Sequence, residues 1–350
     1  MKYFKELDGI RAIAALMIMF CHFFQILNNK SAGFLFVNKL ANLGGTGVSL
    51  FFVLSGFLIT RLLLKSKFEK NYFLNFYVRR ALRIFPLYYL FLTIYYFIYP
   101  YFFNEKITSF KDQIFYWTYM QNFAMTFHWG GGGWFGPVHF WSLAVEEHFY
   151  LIWPLVVLFT KINRLTKVIY IILGIAIISR ATFLFNDIEV FYFTFTRFDE
   201  LALGGLLAVL EYRNLLSKIQ PILFLTLFLL TIIPTIILWT LYSGLENKWV
   251  QLIKFNLMSL SYFFVIGYVM VLKENNKLKE ILKSQFLMYS GKISYGLYVF
   301  HPLCFLTYNR FFHFGMVIDM ILSFAFTYII AYISFNYFES YFLRLKKSFI

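Results

Sequence analysis

An all-α, polytopic integral membrane protein of about ten transmembrane helices is the fold class this sequence predicts, and three observations carry it. Of its 350 residues only 14% are charged and 60% are hydrophobic, against roughly 25% charged in soluble domains. A mean hydropathy of +0.67, with 48 Phe and 26 Tyr, is more apolar area than a water-facing surface accepts; lipid accepts it. The apolar residues also gather in windows of about 20, the length that crosses a hydrocarbon core. A soluble globule, a disordered chain and a disulfide scaffold are excluded together.

The windows fall at 10–29, 47–64, 86–103, 138–158, 168–185, 191–211, 221–242, 252–272, 292–311 and 318–343. The aromatic run from Phe115 to Phe127 is shorter and reads as an interfacial or re-entrant piece. An even number of spans puts the two termini on one side, and the positive-inside rule makes that side cytoplasmic. It gathers Lys2, Lys5 and Arg11, the stretch Arg61 to Arg83, Lys161 to Lys167, Arg213 with Lys218, the cluster Lys273 to Lys292, and Arg344 to Lys347. The net charge of +15 is therefore a topogenic signal beside anionic lipid, and no nucleic-acid partner is expected.

Lys2 and Lys5 ahead of an apolar run resemble the start of a signal peptide. Asp8 and Arg11 interrupt the approach and the run is long for an h-region, so it reads as an uncleaved anchor. With no repeat, linker or soluble appendage, residues 1–350 read as one membrane domain in the inner, cytoplasmic membrane. Cys21 and Cys304 lie in separate apolar runs and read as small apolar fillers, without a metal-ligand set.

Ionisable residues inside spans are costly, so they mark where chemistry is sought. In the first window Arg11 and His22 are eleven residues apart, about 20° past three turns and roughly 16 Å of rise, so they share one face. Residues His139, Ser142, Glu146 and Tyr150 step by three, four and four, which lays an imidazole, a hydroxyl, a carboxylate and a phenol along one stripe. That stripe reads either as an internal hydrogen-bond ladder or as a reactive seam; the adjacent pair Glu146 and Glu147 exceeds what helix glue requires. Counted from the inner edge, His22, Glu146 and Asp199 of the Arg197-Phe-Asp199 segment all lie about 18 Å deep. A carboxylate beside His22 at that level would orient it and raise its basicity.

Arg80 and Arg83 are i, i+3 neighbours ahead of Pro86, which suits the first turn of the following span. Guanidinium forks beside a helix N-terminus make a phosphate site, while the same residues also serve as a positive-inside anchor. Gly130 to Gly133 with Trp134 form a flexible outer loop that leads into the His139 stripe and could gate it. His301 before Pro302 sits at a kink that could line a cavity. Glu339 near the inner end of the last span is expected to pair with Arg344.

These residues resemble a known family. Leu7-Asp8-Gly9-Ile10-Arg11 with His22, the run Phe51 to Ile59, Arg80 and Arg83 before Pro86, Trp141-Ser142-Leu143 with Glu146, Arg197-Phe-Asp199, and Ser294-Tyr295 with His301-Pro302 stand in the order of the acyltransferase-3 membrane O-acyltransferases. The resemblance covers nearly the whole chain. It implies a ten-helix domain that moves an acyl group, usually acetyl, from cytoplasmic acyl-coenzyme A to a hydroxyl of a sugar or other acceptor. Arg11 and His22 correspond to the family's first-helix Arg/His motif, Arg80 and Arg83 to its paired arginines, and Glu146 to the acid of its Ser-Leu-x-x-Glu segment. The proline expected after Glu339 is missing, and the hydrolase-like extracytoplasmic domain fused to some members is not expected.

On that resemblance Arg11, Arg80 and Arg83 hold the phosphates of acyl-CoA, the only co-substrate, with no permanently bound cofactor and no metal. His22, oriented by Glu146, is either the general base or the acyl carrier, and the sequence leaves both open. His139, Ser142, Tyr150, Arg197, Asp199 and His301 line the cavity for an extracytoplasmic glycan or lipid-linked acceptor. The rival reading is a glycolipid or solute transporter whose midplane His, Glu and Asp bind cargo or protons; it calls for inverted repeats, and none is visible.

Overall fold

The computed structural model describes residues 3–27, 32–130, 136–242 and 247–346, and among these every regular element is helical. The opening helix α1 (Glu6–Leu27) is followed by α2 (Ala32–Gly44) and α3 (Gly47–Ser66). Next, α4 (Tyr72–Thr93) runs through a π turn at Ile94–Ile98 into α5 (Tyr99–Phe103). The aromatic run forms α6 (Phe110–Trp117) and α7 (Gln121–Phe127), of 8 and 7 residues, too short to cross a bilayer. Then come α8 (Trp141–Phe159), α9 (Ile162–Phe185), α10 (Phe198–Tyr212), α11 (Pro221–Leu241) and α12 (Lys248–Val271). The chain ends in α13 (Lys277–Leu282), α14 (Gln285–Lys292), α15 (Ser294–Phe311), α16 (Met316–Ile333), a second π turn at Ser334–Glu339, and α17 (Ser340–Leu345).

Among the described residues eight helical runs are long and apolar enough to span a membrane, against the ten windows expected. The two other windows hold α10 and α15. Helix α10 starts at Phe198 rather than near 191 and has 15 residues, about 22 Å of length. Residues 191–197 are not helical because side chains compete for the backbone: the Thr196 hydroxyl donates to the carbonyls of Val190 (2.5 Å) and Phe193 (2.7 Å). Helix α15 carries Ser294, His301, Asn309 and Arg310 among its 18 residues. Helix α10 lies inside the bundle, every residue from Phe198 to Val209 being buried, so it is not selected for contact with lipid; α15 is buried over its first half and exposes Leu306 and Phe311 near its end. The lipid-facing role falls to α9, α11 and α16, whose Ile171, Ile178, Ile222, Leu230, Ile321 and Ile329 point outward.

Pro86 is a second correction. It stands inside α4 and not in the first turn of a span, so Arg79, Arg80 and Arg83 ride on a continuous helix and the N-terminus expected at Pro86 is not beside them. A proline there forfeits the i→i−4 bond to the Leu82 carbonyl, a loss membrane helices tolerate; separately, the Tyr295 hydroxyl of α15 donates to the Ile84 carbonyl (2.8 Å).

Helices α3 and α10 touch backbone to backbone. A Cβ on Gly56 would fall 1.9 Å from the Leu201 carbonyl oxygen, and one on Gly204 would fall 1.9 Å from that of Val53. Small residues at facing positions let membrane helices approach this closely. Gly204→Val should therefore cost about 3 kcal/mol or more through overpacking, read as a loss of folded, monodisperse protein in detergent; a fully folded variant would show that the pair can spread. A similar lock ties α1 to the hairpin after α12: a Cβ on Gly9 would meet the Leu282 carbonyl oxygen at 2.2 Å, and one on Gly291 that of Asp8 at 2.0 Å. The buried Lys279–Glu6 ion pair, 3.1 Å, closes the same contact.

Candidate active site

Two chambers lie along α1. The first, of about 120 Å³, is lined by Arg11 of α1, Arg80 and Arg83 of α4, Ser55 of α3, Glu146 and Tyr150 of α8, and Tyr295 of α15. The second, of about 610 Å³, is lined by His22 at the other end of α1, His139, Trp141, Glu189, Trp239, Gln251 and Lys254. Val48 and Tyr298 line both. The Tyr298 hydroxyl donates to the His139 carbonyl oxygen and accepts from the Ser142 hydroxyl at 2.6 Å, so the phenol is fixed at the junction.

In the first chamber charge is unbalanced. Arg11 is held by Asp8 at 2.8 Å, and Asp8 also accepts from the Tyr3 hydroxyl, whose pKa is raised to about 12 by burial and that carboxylate. Arg80 lies over the Tyr150 ring at 5.8 Å, and its buried Nε has no hydrogen-bond partner. Neither Arg80 nor Arg83 has an ion-pair partner among the described residues. Glu146 lines this chamber together with Ser55 and Tyr150, whose hydroxyls lie 2.5 Å apart. Beyond the end of α17, Lys346 is pushed down to about 7, first by burial and then by Arg83, Arg80, Arg79 and Arg11. One wall of this chamber is therefore cationic and short of counter-ions.

The second chamber holds a histidine cluster. His22 Nδ1 lies 2.7 Å from His301 Nε2, with the rings stacked at 14°. His301 Nδ1 lies 3.0 Å from the Leu297 carbonyl oxygen. A carbonyl only accepts, so His301 Nδ1 carries the proton and, in the neutral ring, Nε2 is the acceptor. The proton of that contact then sits on His22 Nδ1, and His22 Nε2 is left with its lone pair. By the same argument His139 Nε2, 3.2 Å from the Val299 carbonyl oxygen, is a donor; its ring centroid is 5.4 Å from that of His301.

The expected residues divide accordingly. Arg11 and His22 line successive chambers, as one helix face requires. Arg80, Arg83, Ser142, Glu146 and Tyr150 line the first chamber, and His139 the second. His139 belongs to a 3₁₀ turn at Val138–Phe140, so the stripe is α-helical only from Ser142 onward. The expected pairing of His22 with Glu146 is not made: His22 is held by His301, and Glu146 faces the other chamber. A common depth left the azimuth of α8 open, and α8 turns Glu146 toward α3 and α4.

Arg197, Asp199 and His301 line neither chamber; His301 is fully buried and reaches the second chamber only through its contact with His22. Arg180 binds Asp199 at 2.7 Å, Arg197 binds Glu200 at 3.2 Å, and Ser49 accepts from Arg197 at 3.0 Å. Two guanidinium groups and two carboxylates close a neutral, fully buried network that joins α3, α9 and α10. Because α10 begins at Phe198, its acids fall in the first turn, opposite Arg180. That arginine was passed over, although a lone Arg in the apolar α9 was itself a signal. Glu339 makes no ion pair with Arg344 among the described residues; it accepts from the Ser334 hydroxyl at 3.0 Å across the π turn. Residues 131–135, which include most of the glycine loop, lie outside the described residues.

Comparison with known proteins agrees with these motifs. A family model described as an acyltransferase domain matches residues 4–335. Peptidoglycan O-acetyltransferase OatA of Listeria monocytogenes is 29% identical over 369 residues, covering 97% of this chain and 56% of its own length. O-acetyltransferase OatA of Staphylococcus aureus strain NCTC 8325 is 30% identical over 366 residues, covering 97% and 57%. The chain thus spans about half the length of the curated relatives it matches. No solved structure matches it.

Proposed function

Since this chain belongs to the acyltransferase-3 family, we propose that it is an O-acyltransferase of the cytoplasmic membrane that moves an acetyl group from acyl-coenzyme A to a hydroxyl of a cell-envelope glycan. The observation that carries the reading is the pairing of two arginines without counter-ions in one chamber with an unprotonated imidazole nitrogen in the next. The positive-inside distribution of Lys and Arg assigns the arginine chamber to the cytoplasmic side, where acyl-CoA is available. Arg80, Arg83 and Lys346 then hold the phosphates by charge-assisted hydrogen bonds, and the pantetheine arm runs along α1 toward Tyr298 and His22.

The chemistry falls to His22 Nε2. As general base it takes the acceptor hydroxyl proton while the oxygen attacks the thioester carbonyl. The C–S bond breaks, the acyl ester forms, and the imidazolium returns its proton to the thiolate of coenzyme A. His301 holds His22 Nδ1–H and so keeps Nε2 free, with the Leu297 carbonyl fixing the tautomer of His301. That His22 lines the chamber remote from the arginines favours its acting on the acceptor over its carrying the acyl group. Glu146, beside Ser55 and Tyr150 in the first chamber, borders the path of the thioester rather than the base.

Purified protein with acetyl-CoA labelled in the acetyl group tests the reading. Label should move to a hydroxylated glycan such as a chitooligosaccharide or a peptidoglycan strand. Label left wholly on coenzyme A with both acceptors would favour the transporter.

Lys346 supplies a pH signature. Its amine, at about 7 in the free protein, is stabilised in the charged form by a bound anion. Donor affinity should be full below pH 7 and fall as the pH rises above it, until the raised value of the complex is passed. Lys346→Met should weaken binding at pH 6 and flatten the profile; isothermal titration with coenzyme A at pH 6 and 8 reads both, and an unchanged slope in the variant removes Lys346 from the site.

A further inference from the structure

Lys254 is unused by this mechanism. It stands six residues into α12, about 9 Å from the helix start, and is only 4% exposed. A lysine this close to a helix end ordinarily snorkels to the interface, yet this one turns inward to the wall of the larger chamber. Its Nζ donates to the Tyr242 carbonyl at 3.2 Å, just past the end of α11, and lies 4.6 Å from the centroid of the Trp239 ring. Capping α11 uses one of three N–H donors.

No carboxylate forms an ion pair with Lys254 among the described residues. Glu189, the acid of this chamber, instead accepts the Phe191 N–H at 2.8 Å. A buried ammonium that lacks a counter-ion and faces a cavity is costly unless something anionic fills the cavity. Trp239, Trp141 and Tyr192 also line this chamber, and its volume of about 610 Å³ suits a small-molecule site.

We propose that the acceptor carries an anionic group, a sugar carboxylate or a phosphate, that pairs with Lys254 while its hydroxyl lies at His22. The inference rests on reading this chamber as the acceptor side. Binding to the purified full chain, followed by thermal shift, uses three probes: chitotetraose, a tetrasaccharide of equal length with free lactyl carboxylates, and N-acetylglucosamine 1-phosphate. The wild type should bind one acidic probe at least about tenfold tighter than chitotetraose, the order of a charge-assisted hydrogen bond. Which of the two it prefers identifies the anion.

Lys254→Met should lose the preference with neutral binding unchanged, and Lys254→Arg should keep it. Lys254→Gln takes the place of the methionine variant if that one does not fold. Equal binding of all probes by the wild type, no binding of either acidic probe, or a preference that survives Lys254→Met overturns the proposal. An intact preference in a protein that transfers no acetyl overturns the transferase reading instead.

Discussion

Replacing His22 by Ala should lower acyl transfer by about 10²–10⁴-fold, the usual worth of a positioned general base, in membranes that retain normal amounts of the protein. Coenzyme A binding should be unchanged, because His22 lies in the other chamber from the arginines. His301→Phe is the sharper companion. It leaves His22 in place and removes only the acceptor of its Nδ1–H, so the tautomer is no longer fixed and kcat falls about tenfold, the value of one neutral hydrogen bond, with KM for acetyl-CoA unmoved. Initial rates at saturating donor separate the two variants. Transfer that persists in His22→Ala at wild-type rate would falsify the base assignment.

Arg83→Ala acts at the other end. Removing a guanidinium that has no ion-pair partner among the described residues should orphan no carboxylate there and spare the fold, while each charge-assisted bond to phosphate is worth about 1.5–3 kcal/mol. Affinity for coenzyme A should therefore drop by about 10- to 100-fold, and kcat at saturating donor should stay near wild type. Arg83→Lys restores charge but not the bidentate fork and should recover only part of the loss. Because Arg80 shares the chamber, Arg80→Ala with Arg83→Ala should weaken binding beyond either alone. Donor titrations by calorimetry decide: an unchanged dissociation constant in Arg83→Ala removes the phosphate assignment.

Much of this architecture is legible in the sequence because the bilayer imposes a strong period on composition. Eight of the windows match helical runs, and the shared face of Arg11 and His22 follows from helical arithmetic alone. The windows at 191–211 and 292–311 also hold helices, α10 and α15, but neither is among the runs long and apolar enough to span a membrane, and the first of the two windows starts seven residues before its helix. Windowing also misplaced Pro86, since proline is ambiguous between opening a helix and sitting inside one.

The site was legible in its membership and less so in its pairings. His22 meets His301 across 279 residues, and depth along a helix says nothing about which neighbour a side chain faces. Arg197 and Asp199 were drawn to the cavity by their cost of burial, but Arg180 and Glu200 balance their charge away from either chamber. Lys254 escaped notice because it sits at the margin of its window, where a lysine ordinarily means a membrane boundary.

Two polar chambers laid end to end through a bilayer come close to being a conduit. A membrane that sustains an ion gradient would be short-circuited by a continuous file of water from one face to the other. The Tyr298 phenol, tied to the His139 carbonyl and to Ser142, stands where such a file would pass. Its hydroxyl is spent on internal partners and offers passing water no relay, so the same residue that marks the junction of the two chambers also works as insulation.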